Sequence, residues 1–107
     1  ATEGRKIEVD EFARRLAALA FERLDAIDQV IQKYSIKWNI NRLPKVTLAI
    51  LRLAICEIDG MEDIPVSVTI NEAVELAKKF ASEDDASFIN GLLGAYVHSK
   101  EQGEGEE

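Results

Sequence analysis

Between Leu43 and Ile58, apolar residues fall at Leu43, Val46, Leu48, Ile50, Leu51, Leu53, Ala54, Ile55 and Ile58. On a helix of 3.6 residues per turn these positions spread nearly all round, and a helix apolar on every side belongs at the centre of a domain. The helix opens near Leu43-Pro44, where proline is tolerated because first-turn N–H groups have no helical partner. Asp59-Gly60 closes it, with glycine suited to the left-handed position after a helix. The rest of the chain has to pack around this rod.

Upstream, Val9, Phe12, Leu16, Leu19, Ala20, Leu24, Ile27, Val30, Ile31 and Tyr34 recur at steps of three or four. That spacing predicts one long amphipathic helix with Asp10 as N-cap. Arg14, Arg15, Glu22, Arg23, Gln29 and Lys33 fall on its solvated face. The period breaks from Tyr34 to Arg42, where Ser35, Asn39 and Asn41 are turn formers. Trp38 sits in this connector and reads as a plug between helices, with base stacking as the alternative.

Ile64-Pro65 opens a third helix, with Asp63 available as a cap and Val66, Ile70, Ala73, Val74, Ala77 and Phe80 as its buried stripe. Ser82-Glu83-Asp84-Asp85 then reads as a capping box. The helix it starts, about Glu83 to His98, buries Ala86, Ile89, Leu92, Leu93 and Tyr96. The fold class is all-α, with four main helices and no internal repeat. A flexible start over 1–8, a helical domain over 9–100 and a disordered acidic tail over 101–107 complete the expected organisation.

At 107 residues, a single domain buries roughly 60–68% of the surface its unfolded chain exposes, enough for a core without staples. The composition is 47% apolar and 31% charged, which suits a helical domain rather than alternating strands. No apolar run reaches the roughly 18 residues of a membrane span. The one cysteine, Cys56, cannot build a disulfide framework and reads as a small core residue, so a reducing cytoplasm is the default compartment. Net charge is −7, and the four carboxylates of residues 101–107 leave −3 on the first hundred. Such a chain is disfavoured as a binder of phosphate backbone on its own. It opens Ala1-Thr2-Glu3-Gly4 without methionine, which points to a processed or truncated start.

A few polar residues interrupt the apolar helices. Arg52 lies in the central helix and Glu72 early in the third. An interhelical ion pair between them, or bonds from each to exposed helix ends, would fix how the helices cross. Asn71 and Asn90 read as helix-interior amides bonded to neighbouring backbone. Asn90, one turn into the last helix, is also a ligand-contact candidate. Gly91 and Gly94 cost about 1 kcal/mol each within a helix, which predicts close helix approach. For catalysis there is one histidine, His98, at a helix end, no Cys/His spacing for a metal and no Gly-rich phosphate loop. The expectation is a non-enzyme with no catalytic residues, metal or cofactor.

The segments AILRLAICEI (49–58), INEAVELAKKF (70–80) and FINGLL (88–93), with the turn Lys37-Trp38-Asn39-Ile40-Asn41-Arg42-Leu43, resemble the NusB family of transcription antitermination proteins. The likeness spans about Val9 to Tyr96. It implies a NusB-like antiparallel helical bundle without enzymatic activity. Such a bundle binds the boxA segment of nascent ribosomal RNA together with the small-subunit ribosomal protein that doubles as NusE, within the RNA polymerase antitermination complex. Carried over residue by residue, it puts RNA contacts at Asn41, Arg42, Lys45, Asp84, Ser87, Phe88 and Asn90, and NusE contacts at Thr47, Ile50 and Val66. The family's Arg-rich opening and Ala-rich first helix have no counterpart here. Val46-Thr47-Leu48 replaces its Val-Asp-Arg, and Ser87 stands for its Lys.

Two rival readings stay open. One is the NusB-like RNA-binding domain of a ribosomal RNA cytosine methyltransferase, although an acidic Gly/Glu tail follows here in place of a Gly-rich cofactor unit. The other is a protein-only helical adaptor. Loss of two helices would expose the stripe around Leu16, Leu24 and Ile31, which makes a homodimer a further expectation.

Overall fold

In the computed structural model the backbone is described for residues 2–36 and 38–106, and side chains for 11–36 and 38–102. Five helices follow in order: α1 (Thr2–Glu22), α2 (Leu24–Tyr34), α3 (Lys45–Gly60), α4 (Val66–Phe80) and α5 (Glu83–Glu106). A 3₁₀ turn, Ile40–Arg42, sits in the connector before α3. The described residues contain no strand, so the all-α architecture stands.

The single helix expected from Val9 to Tyr34 is two helices, hinged at Arg23, whose φ of −107° and ψ of 11° leave the helical region. The hinge is cheap, because Arg23 N–H still donates to Leu19 O and Arg23 O still accepts from Ile27 N–H. It lets α1 lie along α3 while α2 reaches both α3 and α5. The helical backbone begins at Thr2, ahead of Val9, so Asp10 falls inside α1; its side chain lies outside those described. At the other end α5 continues past Lys100 to Glu106.

The core gathers Leu51, Ala54, Ile55 and Cys56 of α3 with Ile27 and Ile31 of α2, Ala73 and Ala77 of α4, and Ile89, Leu92 and Leu93 of α5. Leu16 and Ile31 are buried and Leu24 is half-buried, so the stripe expected to lie exposed is internal. The central helix is not wrapped on every side: Val46 and Leu53 remain exposed, as does Phe80 of α4. The Cys56 thiol is buried and donates to Leu16 O at 3.6 Å; burial pushes its pKa up, which makes it inert.

Arg52 does not pair with Glu72. Its Nε and Nη2 donate to the two oxygens of Asp28 on α2, both at 2.9 Å. Glu72 lines a cleft with Leu53 and Glu57 of α3, and Arg52 sits about 100° round the helix from Leu53. The locking function is thus kept and the partner changes. Both side chains are about a third exposed, at 33% and 30%, which lowers the value of the pair below that of a fully buried one. Asp28→Ala and Arg52→Ala are each expected to cost about 1–3 kcal/mol in urea unfolding. In a double-mutant cycle the two losses should fall short of adding, and strict additivity would show that the fork contributes nothing.

A second polar clamp closes α5 on the end of α3. The Tyr96 hydroxyl donates to Asp59 Oδ1 and Oδ2 at 2.7 and 2.8 Å, and Lys100 Nζ donates to Oδ1 at 2.6 Å. Burial, then the Asp59 carboxylate, pushes the Tyr96 phenol well up, and the ring meets Tyr34 edge-on at 5.9 Å.

Gly60 ends α3 within its last turn, without the left-handed φ the sequence suggested. Its role is close approach: a Cβ there would meet Leu19 Cδ1 of α1 at 3.3 Å. Gly91 and Gly94 behave oppositely, since a Cβ on either meets nothing within 4 Å. Packing demands neither glycine, so the close approach inferred for them is absent. Gly94→Ala should therefore stabilise the protein by about 1 kcal/mol through helix propensity alone. A thermal melt shows this as a rise of several degrees; an unchanged or lower Tm would mean the site is not open.

Candidate nucleic-acid interface

The connector between α2 and α3 has its backbone held at several points. Ser35 Oγ donates to Trp38 O at 2.7 Å, Gln32 Oε1 accepts from Ile40 N–H at 3.0 Å, and Asn39 Oδ1 accepts from Asn41 N–H at 2.9 Å. These bonds fix the chain while leaving the Trp38 side chain outward, with the residue 53% exposed. The plug reading of Trp38 therefore fails. A large aromatic face exposed to water is available for stacking, the alternative the sequence offered.

The start of α5 is built just as locally. Asp85 N–H donates to Ser82 Oγ at 3.1 Å, which forms half of the predicted capping box; the Asp85 carboxylate accepts from the Ser82 hydroxyl at 2.7 Å in place of the Ser82 backbone N–H. Glu83, Asp84 and Asp85 occupy the first turn. They complement the helix dipole and also surround the helix N-terminus with negative charge.

Three open clefts adjoin along the N-terminal half of α5. One, of about 280 Å³, brings Trp38, Arg42, Asp84 and Phe88 together. A second, of about 460 Å³, is lined by Trp38, Ile36, Ser87, Phe88 and Gly91. The third, of about 570 Å³ between α4 and α5, holds Asn71, Lys78, Ser87 and Asn90. Trp38 and Phe88 bridge the first two and Ser87 the last two.

Of the residues singled out from sequence, Arg42, Asp84, Ser87, Phe88 and Asn90 thus share one surface. Asn41 and Lys45 are exposed beside it but line none of the three clefts. Asn71 and Asn90 are exposed cleft residues, and among the described residues neither side chain bonds backbone, which corrects their structural reading. Sequence reasoning passed over Ile36, which is almost fully exposed, and Lys78. The available signal was a Trp within a run of turn formers.

Thr47, Ile50 and Val66 do not form a common face. Thr47 is fully buried, and among the described residues its hydroxyl has no hydrogen-bond partner, so no partner protein reaches it without opening the core. Ile50 is buried at the floor of a cleft between α3 and α4, and Val66 is half-buried beside Val97 and Lys100 near the far end of α5.

The α5 clefts combine aromatic faces, amides, hydroxyls, carboxylates and two cations. Chemically, such a set is suited to flat, polar-edged ligands, through stacking and hydrogen bonding. Among the described residues no group of His, Cys, Asp and Glu is placed to hold a metal ion, and no helix is long and apolar enough to cross a membrane.

Fold and site together define an all-helical bundle with open, aromatic-edged clefts along the N-terminal half of α5. The family model "NusB family" matches residues 1–98, and the chain belongs to the NusB family. It is similar to the transcription antitermination protein NusB of Thermoanaerobacter sp. (strain X514), 48% identical over 99 residues, covering 92% of this chain and 70% of that protein. The protein of the same name from Alkaliphilus oremlandii is 48% identical over 90 residues, 84% of this chain and 65% of its own. That of Acetivibrio thermocellus is 52% identical over 80 residues, 75% of this chain and 55% of its own. The matched region therefore spans 55% to 70% of these relatives' length.

Proposed function

We propose that this chain is a transcription antitermination factor that binds the single-stranded boxA segment of nascent ribosomal RNA, jointly with NusE, without catalysing a reaction. The observation that carries the reading is Trp38, half-exposed in one cleft with Phe88 and Arg42. Single-stranded RNA is recognised by splaying its bases onto aromatic side chains and reading their edges. Trp38 and Phe88 supply the stacking faces, and Arg42 a phosphate contact. Asp84 accepts from a base amino group, as carboxylates do from cytosine N4. Ser87 and Asn90 read further edges, with Asn41 and Lys45 flanking.

Charge explains why a partner is needed. A net −7 and three carboxylates in the first turn of α5 repel the RNA backbone, so affinity comes from bases rather than phosphates. A basic partner docked alongside would supply the missing cations and raise the effective concentration of the pair at the RNA. Of the three NusE candidates, Val66 offers accessible side chain, whereas Ile50 and Thr47 are buried. The setting is the cytoplasm, in the RNA polymerase antitermination complex.

The deciding experiment titrates labelled boxA RNA, and a scrambled RNA of equal composition, into the protein with and without NusE, followed by anisotropy. The reading expects weak binding alone, with a shallow salt dependence because few phosphates are contacted, and boxA-selective binding once NusE is present. Equal affinity for the two RNAs in the presence of NusE would remove it.

A further inference from the structure

Gly91 stands in the middle of α5, where glycine is among the poorest helix formers. No part of the chain requires it there, since a Cβ would meet nothing within 4 Å. Gly94 is equally unapproached, so a bare helical position alone implies no ligand. Location separates the two. Gly94 lines none of the three clefts along α5, whereas Gly91 lines the one of about 460 Å³, together with Ile36, Trp38, Ser87 and Phe88.

The chemistry of that cleft narrows its occupant. Among the described residues, none of those lining it carries a charge, in contrast to the adjoining cleft with Arg42, Asp84 and Asp85. A phosphate entering it would lose water with no cation to replace the loss. Ile36, 92% exposed, and Trp38 present apolar surface from a connector whose backbone is tied at Trp38, Ile40 and Asn41. Such walls suit the face of a neutral ring. The volume falls within the roughly 300–1,000 Å³ of small-molecule sites, ample for one nucleobase.

We propose that this cleft seats one unpaired base of the bound RNA, beside Trp38 and Ile36, and that the missing side chain of Gly91 is what admits it. The role of Gly91 rests on the RNA reading and adds to it a base position that Arg42 does not serve. Trp38 and Phe88 line both clefts, so the base seated here and the nucleotide at Arg42 would be neighbours in the strand. Backbone charge stays toward Arg42 while the ring enters the uncharged side. A side chain at Gly91 would take up space in the cleft and hold the ring beyond the about 3.5–4.0 Å at which dispersion contacts are strongest.

The signature is a pair of opposite effects. Gly91→Ala and Gly91→Leu each replace glycine by a good helix former, so both should raise Tm by several degrees. Both should also weaken boxA binding in the presence of NusE. The expected loss is about threefold for Gly91→Ala and about tenfold or more for Gly91→Leu, the latter matching one unstacked base. Gly94→Leu should show the gain in Tm alone. Affinity for NusE without RNA should stay at the parent's value in all three variants.

BoxA RNAs carrying one abasic nucleotide, moved position by position, then locate the seated base. At one position the loss seen with the parent should vanish in Gly91→Leu and persist in Gly94→Leu. If Gly91→Leu binds boxA as the parent does while Trp38→Leu loses affinity, the proposal falls and the RNA reading survives. If the parent with NusE fails to distinguish boxA from scrambled RNA, both fall. A Gly91→Leu loss of equal size in binding NusE alone would assign the cleft to the protein partner and overturn the proposal.

Discussion

Leu51→Ala is expected to lower the unfolding free energy by about 3–4 kcal/mol, while Leu53→Ala, two residues along the same helix, costs about 1 kcal/mol or less. The two positions have identical chemistry and differ in surroundings. Leu51 has no exposed surface and belongs to the cluster with Ile55, Ile31 and Leu93, so truncation leaves a void lined on every side. Leu53 is 43% exposed at the rim of the cleft it shares with Glu57 and Glu72, and water fills what it vacates. A domain of this size is stable by only about 5–15 kcal/mol, so the first change removes a large share and the second almost none. Urea unfolding followed at the helical circular dichroism band decides it. Comparable losses at the two sites would mean that α3 is rotated from the orientation described.

Trp38→Leu carries the second large effect, on RNA binding and not on folding. Stacking of one base on an aromatic ring contributes about 1–3 kcal/mol, so boxA affinity in the presence of NusE should fall by roughly five- to more than a hundredfold. Leucine keeps apolar bulk but loses the flat face. Trp38 is half-exposed and lies outside the core cluster, so Tm should move little. Phe88→Leu should weaken binding less, because Phe88 is half-buried against the core and has less of its ring free for stacking than Trp38. A Trp38→Leu protein that binds boxA as the parent does would leave the clefts without their stacking role.

Which parts of this were legible in the sequence follows from what periodicity encodes. Apolar spacing of three and four marks where helices run and which face is buried. Accordingly Ile27, Ile31, Ala73, Ala77, Ile89 and Leu93 are internal as expected. The same spacing runs unbroken through Arg23, so it carries no sign that α1 and α2 part there to meet different neighbours. Periodicity also leaves the rotation of one helix against another undetermined. Arg52 was recognisable as a charge needing a partner, but its choice of Asp28 over Glu72 depends on which flank of α3 faces α2. Helix propensity explains what Gly91 and Gly94 cost, but only the geometry shows that nothing approaches them. For the site, the motif around Phe88 and Asn90 pointed to the N-terminal half of α5, where the open clefts lie. Trp38 was harder, because an indole ring is usually buried and its exposure depends on the Ser35 and Gln32 bonds that hold the loop.

The chain contains a single tryptophan, so its own fluorescence reports on the residue the RNA reading depends on. Titrating boxA RNA into the protein with a tryptophan-free NusE, while anisotropy of labelled RNA tracks binding independently, tests that reading most directly. Base stacking on the indole predicts quenching that saturates at the same RNA concentration as the anisotropy signal, and is absent with scrambled RNA. Full binding by anisotropy with unchanged tryptophan emission would contradict it, since the RNA would then be held somewhere other than the cleft of Trp38 and Phe88.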